Sequence, residues 1–380
     1  MVHSKEDLSL PTNCCNFLSI LKRKVCKFQN HKAVLLITIV MLYIFVAFTH
    51  VSELNYDTDF NYPLKQNIVE CVQALEAEKP LPHCNIINSY NYSFIINNEK
   101  KCIRSDNSSV GLVMLIKSAT DNFGRRLAIR NTWGYEERFY DVGVKRIFML
   151  GATRNRTILQ TISDEQEEFG DIVQADFFDA YHNNTIKTMM AFKWAVRYCD
   201  AKFYLFSDDD MYVSVKNVLR FIRNPTEYPQ YLQRSDDKEV GKHLNKVTEY
   251  DLPEGMKFIS GCFAPSYPHR RQSSKWYVSL DEYPYDKWPT YVSAGSYIVS
   301  REVLKNLHYA SYYTQHFRFD DVYVGILAKK LGIEMFHCPE IHIVKKIYDK
   351  SSFKYVVSSH DYHSSELIKI WNEQKMMGNA

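Results

Sequence analysis

The pattern of apolar and polar positions divides the chain into three stretches. From Ala33 to Thr49 it reads AVLLITIVMLYIFVAFT, 17 residues without a charge. At about 1.5 Å per helical residue this run spans about 26 Å, close to the ~27 Å hydrocarbon of early secretory membranes. Residues 50–108 are polar, punctuated by Pro63, Pro80 and Pro82, and keep no sustained period, which predicts a stem. The texture changes from Gly111. The runs 112–116 (LVMLI), 146–150 (RIFML), 171–175 (DIVQA) and 203–206 (FYLF) predict strands buried on both faces. Segments 125–133, 158–169, 186–194 and 215–222 carry helical spacing between and after them; Val215, Val218, Leu219 and Ile222 recur at i, i+3, i+4, i+7. Four strand–helix alternations predict a parallel α/β sheet covered on both faces, with ligands beyond the carboxyl ends of its strands. The charged segment 225–254 reads as a surface excursion within a head spanning 109–376.

Charge orients the apolar run. Lys22, Arg23, Lys24, Lys27 and Lys32 precede it, and Glu53, Asp57 and Asp59 follow it. The positive-inside rule then predicts a type II signal anchor at 33–49, a cytosolic tail at 1–32, and a lumenal remainder. The run starts too far into the chain, and lacks the small-residue exit, of a cleaved signal peptide. A net charge of +3 gives no support to nucleic-acid binding driven by bulk charge.

Cysteine usage agrees with that topology. Cys14, Cys15 and Cys26 fall on the cytosolic side, whereas Cys71, Cys84, Cys102, Cys199, Cys262 and Cys338 fall beyond the membrane. An even number in an oxidising lumen permits full pairing, with the connectivity left open. Sequons at Asn91, Asn107, Asn155 and Asn183 lie on the same side and are candidate glycosylation sites.

The sharpest chemical feature is FYLFSDDDMYV, which puts Asp208, Asp209 and Asp210 at the end of the fourth strand. Partly buried adjacent carboxylates are costly unless a cation joins them, and Mg²⁺ or Mn²⁺ prefers such oxygens. Alternation would let Asp208 and Asp210 share an ion while Asp209 turns away. A second pair, Asp320–Asp321, opens a predicted helix, where Asp also serves as an ordinary cap. A helix N-terminus stabilises a carboxylate and so weakens it as a base. Arg125, Arg126 and Arg130 sit near the end of the first strand, suited either to an anion or to a solvated helix face. WPTYVSAGSYIVS joins rings to small residues, as a pocket wall or a tight turn would.

Five segments, in order over most of the head, resemble the β-1,3-glycosyltransferases of glycosyltransferase family 31. They are RRLAIRNTWG, GDIVQADFFDAYHNNTIKT, FYLFSDDDMYVS, KWYVSLDEYPYDKWPTYVSAGSYIVS and DDVYVGILAKKLG. The resemblance implies a GT-A fold, Mn²⁺ (or Mg²⁺) dependence, a UDP-GlcNAc or UDP-Gal donor, and a glycolipid or glycan acceptor in the Golgi. It leaves room for homo- or heterodimers with other glycosyltransferases. By motif position Asp208, Asp210 and His360 would hold the metal, His360 being chosen over His337 and His342 on the resemblance alone. Asp321 would be the catalytic base. Arg126, Arg130 and Trp133, with Asp208 and Asp209, would bind the donor nucleotide; Trp288, Tyr291, Ala294, Gly295, Ser296 and Asp320 would line the donor-sugar and acceptor pocket.

The expected reaction is an inverting β-1,3 transfer. GlcNAc is the leading sugar, on likeness to an invertebrate member sharing YxLFxDDDxYVSxKNVL, FRFDDVY and SSHxxxxxEL/M. Galactosyl transfer by the same machinery is the alternative. A non-catalytic sugar-binding protein would be favoured by loss of the acidic motifs or of His360, and all are intact.

Overall fold

The computed structural model describes residues 31–44, 50–61, 68–79, 81–103, 109–139, 141–236, 255–264 and 267–380. Most of the expected tail with Cys14, Cys15 and Cys26, residues 45–49 of the expected anchor, Asn107 and residues 237–254 lie outside them. Among the described residues no helix is long and apolar enough to cross a membrane.

The chain divides into two compact units, the first comprising residues 1–60 and 267–287. Residues 31–44 form helix α1, whose apolar side chains are exposed. Helix α2 (Tyr56–Asp59) is capped by Asn55, whose side chain accepts from the Asp57 and Thr58 N–H groups. Arg270 Nε donates to Glu53 at 2.7 Å, the Tyr56 N–H to Asp286 at 2.8 Å, and Lys287 Nζ reaches Asp57 at 2.7 Å. Residues 53–57 of the expected stem are therefore held against 270–287 by backbone and ionic bonds that leave no apolar period.

The second unit comprises residues 61–266 and 288–380. Its first helix, α3 (Ile68–Glu76), buries Ile68, Cys71 and Val72, and a disulfide joins Cys71 to Cys84. Strand β1 (Phe94–Ile96) pairs antiparallel with β4 (Ile172–Phe178). A second disulfide, Cys102–Cys199, fastens the segment after β1 to the end of α6 (Asn184–Tyr198). Residues expected as stem thus supply a strand to the sheet. Three residues are too few to show a period.

The predicted alternation is present as β2 (Val110–Lys117), α4 (Phe123–Arg130), β3 (Val144–Ala152), α5 (Arg156–Phe169), β4, α6, β5 (Ala201–Asp208), β6 (Tyr212–Val213) and α7 (Val215–Arg223). All eight β2 positions are buried, as a strand covered on both faces requires. Helix α8 (Gln230–Asp236) follows, then β7 (Ile259–Phe263), β8 (Val292–Ser300), α9 (Arg301–Tyr313), α10 (Asp320–Leu331), β9 (Phe336–His337), β10 (Ile341–His342), β11 (Ser358–Ser359) and α11 (Ser364–Met376).

The main sheet has the order β1-β4-β3-β2-β5-β8-β7-β9. β2 to β5 are mutually parallel, whereas β8 is antiparallel to β5 and to β7. The sheet is mixed: β1 and β8 run against the other strands, and after α7 the chain enters β7 and β8 without a crossover helix between them. On one face Leu112, Met114 and Ile116 share a core with Ile129 of α4, Val218 and Ile222 of α7, and Leu367 and Trp371 of α11. A small sheet, β10-β11-β6, stands beside it.

Candidate active site

The order in which strands are added reverses at β2: β3 and β4 lie to one side and β5 to the other. Such a switch point leaves a crevice beyond the strand ends. In the register of β2 with β5, Lys117 stands opposite Asp208, so the last residues of both strands meet there. A cavity of about 630 Å³ opens over the carboxyl ends of β2, β3, β4 and β5. Its walls include Lys117–Asn122, Thr153, Asn155, Asp179–Tyr181, Lys187 and Asp208–Asp210.

The three adjacent acids have different fates. Asp208 accepts from Lys117 Nζ at 3.0 Å. Burial pushes its pKa up and the Lys117 charge opposes that. Asp209 turns inward, as alternation predicts, and accepts from Ser118 Oγ (2.7 Å), Asn122 Nδ2 (2.9 Å) and Arg125 Nη1 (3.1 Å). Its valence is filled by protein. Asp210 also meets Arg125, through Oδ2 at 3.2 Å. Its Oδ1 is buried without a hydrogen-bond partner, and His360 Nε2 stands 3.5 Å from it. An orphaned carboxylate oxygen beside an imidazole is a donor set that suits Mn²⁺, so these residues fit the implied metal.

Two short strands bring His360 there. β11 pairs antiparallel with β6, Ser359 opposite Tyr212, and the Tyr362 N–H donates to Asp210 O at 2.9 Å. His337 instead accepts from the Phe263 N–H, and His342 lies 3.8 Å from Glu340. Gly295 runs close by; a Cβ there would stand 3.8 Å from the His360 ring.

Lys117 joins this triplet to the second acidic pair. Its buried ammonium lies 2.7 Å from Asp320 as well, and Thr188 Oγ1 donates to the same Asp320 oxygen at 2.9 Å. Burial would raise the Asp320 pKa, but Lys117 and Thr188 hold it below the usual carboxylate range. Asp321 is pushed up to about 7, first by burial and then by the Asp320 charge, despite accepting from the Val322 N–H. Burial and the neighbouring charge outweigh the helix N-terminus. Asp321 is thereby poised as a base near neutral pH. Tyr297, stacked on Phe206 at 4.8 Å, is buried with its hydroxyl unpartnered and its pKa driven well up by burial and by Asp320, Asp208 and Asp321.

Other predicted residues lie elsewhere than expected. Arg126 is fully buried: it grips Glu165 through Nε and Nη2 (2.7 and 2.8 Å), and its Nη1 donates to Ala119 O at 2.6 Å. Arg130 pairs with Asp171 at 2.6 Å and Glu165 at 2.7 Å, its guanidinium 4.1 Å from the Phe169 ring centroid. Trp133 is buried with Nε1 donating to Met211 O at 3.0 Å. None of the three lines the cavity. Arg126 braces residues 118–120 from beneath and Trp133 holds Met211, while Arg130 is drawn between the buried carboxylates of Glu165 and Asp171. Arg125, one position away, is the guanidinium that faces the acids.

Trp288 packs edge-on against Phe317, Ala294 is partly exposed, and Ser296 is buried opposite Ser207. Tyr291 presses on α10 so tightly that a Cβ at Gly325 would stand 2.6 Å from the tyrosine Cβ. Burial raises the Tyr291 pKa, followed by the charge of Asp321. Asn155 caps α5 and lines the cavity, Asn183 donates to Phe178 O at 2.7 Å, and Asn91 is exposed. Lys117, Ser118, Asn122 and Thr188 were not legible as site residues. Only the strand register reveals Lys117.

A family model described as Galactosyltransferase matches residues 124–243 and 238–339. The chain is 38% identical over 328 residues to beta-1,3-galactosyltransferase brn of Drosophila melanogaster, covering 86% of this chain and 89% of that one. It is 30% identical over 288 residues to beta-1,3-galactosyltransferase 1 of Homo sapiens, covering 76% and 80%. The crystal structure of the galactosyltransferase LgtC with donor and acceptor sugar analogues aligns over 70% of this chain and 100% of that one, with 11% identity and a TM-score of 0.35. With its acidic groups gathered at the switch point of the sheet, the chain belongs to the galactosyltransferase family, the β-1,3-glycosyltransferases that use UDP-sugars.

Proposed function

We propose that the protein is an inverting, metal-dependent β-1,3-galactosyltransferase that moves galactose from UDP-galactose to the 3-hydroxyl of a glycan or glycolipid. The galactosyltransferase names of its relatives favour this donor over UDP-GlcNAc, the leading sugar expected from sequence. The observation that carries the reading is Lys117. Its bonds to both Asp208 and Asp320 support reading the acidic triplet and the Asp320–Asp321 pair as one site.

The switch-point cavity would hold the UDP moiety, with Asp210 and His360 holding Mn²⁺ and Asp208 assisting. When bound, the ion neutralises the diphosphate leaving group as a Lewis acid. Asp209, fixed by Ser118, Asn122 and Arg125, keeps the loop in register for that contact. Asp321 takes the acceptor hydroxyl proton as the oxygen attacks the anomeric carbon opposite the diphosphate. Asp320 remains ionised against Lys117 and so does not compete for that proton. One displacement converts an α-linked donor into a β-linked product without a covalent intermediate, as the logic of inverting glycosidases requires.

A Golgi, type II placement is part of the proposal. It is supported by the one-sided Lys/Arg cluster before residue 33 and by the Cys71–Cys84 and Cys102–Cys199 disulfides, which suit an oxidising lumen. The test offers the purified chain UDP-galactose and UDP-GlcNAc in parallel with β-mannoside, β-galactoside and β-GlcNAc acceptors. Galactosyl transfer abolished by EDTA, Asp210→Asn and Asp321→Asn is expected. Transfer of GlcNAc alone refutes the donor, and binding without transfer refutes the catalytic reading.

A further inference from the structure

Among the described residues two cysteines stand outside the disulfides: Cys262 on β7 and Cys338, one residue past β9. β7 and β9 pair in parallel, with Ser260 opposite Phe336 and Gly261 opposite His337. The next pair in that register is Cys262 with Cys338. The ladder reaches it, because the Cys338 N–H donates to Gly261 O at 2.8 Å. Neighbouring strands run about 4.7–4.9 Å apart, inside the ~4.4–6.8 Å Cα range that disulfides accept. Side chains alternate along a strand, so both cysteines leave the same face, the one opposite Gly261 and His337. Cys338 belongs to the core cluster on that face, and Cys262 packs against it.

We propose that Cys262 and Cys338 are a third disulfide site, oxidised during folding, that clamps β7 to the segment following β9. The two thiols lose two protons and two electrons to a small disulfide such as oxidised glutathione, which leaves as two thiols. Exchange proceeds through a thiolate, and burial pushes the Cys338 thiol up to about 12 and raises that of Cys262. In the folded chain the pair is thus slow to react in either direction, and the bond, once made, persists. Its consequence reaches the site. Cys338 is three residues before β10, which pairs with β11, and β11 directly precedes His360. The clamp fixes the base of the arm that presents His360 to Asp210. The inference depends on the lumenal placement for its oxidant and not on the donor assignment.

The full chain, purified from a secretory host, is unfolded with a maleimide present and mapped by mass spectrometry without reduction. A peptide linking Cys262 to Cys338, with no maleimide on either, is expected beside the Cys71–Cys84 and Cys102–Cys199 links. Maleimide on Cys262 and Cys338 with both other links intact overturns the proposal. If those links are missing too, the lumenal placement fails instead. The pair is then read by refolding the chain in oxidised glutathione, where absence of the link overturns the proposal. As a second measurement, Cys262→Ser, Cys338→Ser and the double variant should each lower Tm by the same amount, about 5 °C. Additive losses would show two independent thiols and overturn it.

Discussion

Asp321→Asn separates the proposed role of this acid from its cost to the fold. In the folded protein the carboxyl titrates near 7, against an ordinary 3.8. The native state therefore binds this proton more tightly than the unfolded chain does. A raised carboxylate pKa contributes stability in its protonated form at low pH, and that contribution is lost as pH climbs from about 4 to about 7. The difference, 7 minus 3.8, is about 3 units, or at most about 4 kcal/mol above pH 7. Asparagine keeps the acceptor for the Val322 N–H and never ionises. The variant should thus be inactive yet more stable than the wild type at pH 8, by about 2–4 kcal/mol, and indistinguishable from it below about pH 4. Thermal melts of both proteins across that range read the difference directly, with transfer assays alongside. Parallel stability curves, or a variant less stable at pH 8, would refute the placement of Asp321 in a desolvated site beside an ionised Asp320.

Three further outcomes follow from the same geometry. Lys117→Met leaves the buried Asp320 and the partly exposed Asp208 without their cation and should cost about 3 kcal/mol in melts, whereas Thr188→Val, which removes one hydrogen bond, should cost about 1 kcal/mol. In calorimetric Mn²⁺ titrations, Asp210→Asn and His360→Ala should each weaken binding at least about tenfold, while Asp209→Asn should chiefly lower Tm, because protein donors already fill that carboxylate. Glycopeptide mapping of secreted protein should find Asn91 occupied and Asn155 bare, since a glycan on Asn155 would stand in the cavity and displace the α5 cap; a fully occupied Asn155 in active enzyme refutes that location of the donor pocket.

What the sequence revealed and what it hid have physical reasons. β2 to β5 were legible as short continuous apolar runs, and the helices between and after them by spacing that is clearest in Val215, Val218, Leu219 and Ile222 of α7. β6, β10 and β11 are two residues long, too short for any pattern, yet they carry His360 to Asp210. Lys117 ends an apolar strand as many surface lysines do, and only its register with Asp208 distinguishes it. Arg126 and Arg130 are four residues apart and so share a helix face. Which face met the cavity depended on Glu165 and Asp171, which α5 and the start of β4 bring up from 39 and 41 residues away. Those carboxylates drew both arginines inward and left Arg125 to the site.

The site can be understood as an unbalanced set of charges. Four carboxylates share two cations, Lys117 between Asp208 and Asp320 and Arg125 between Asp209 and Asp210, and Asp321 is a fifth beside Asp320. Among the described residues no cation pairs directly with Asp321, and no donor reaches Oδ1 of Asp210. A structural cluster would close both gaps, because unpaired buried charge is among the costliest features a fold can carry. Here the two gaps coincide with two needs of the proposed reaction: a carboxylate oxygen open to a divalent ion, and a carboxyl left basic enough to take a proton near pH 7. Under that mechanism a third cation beside Asp321 would steady the fold and end the chemistry, so the shortage of positive charge is what the proposed catalysis uses.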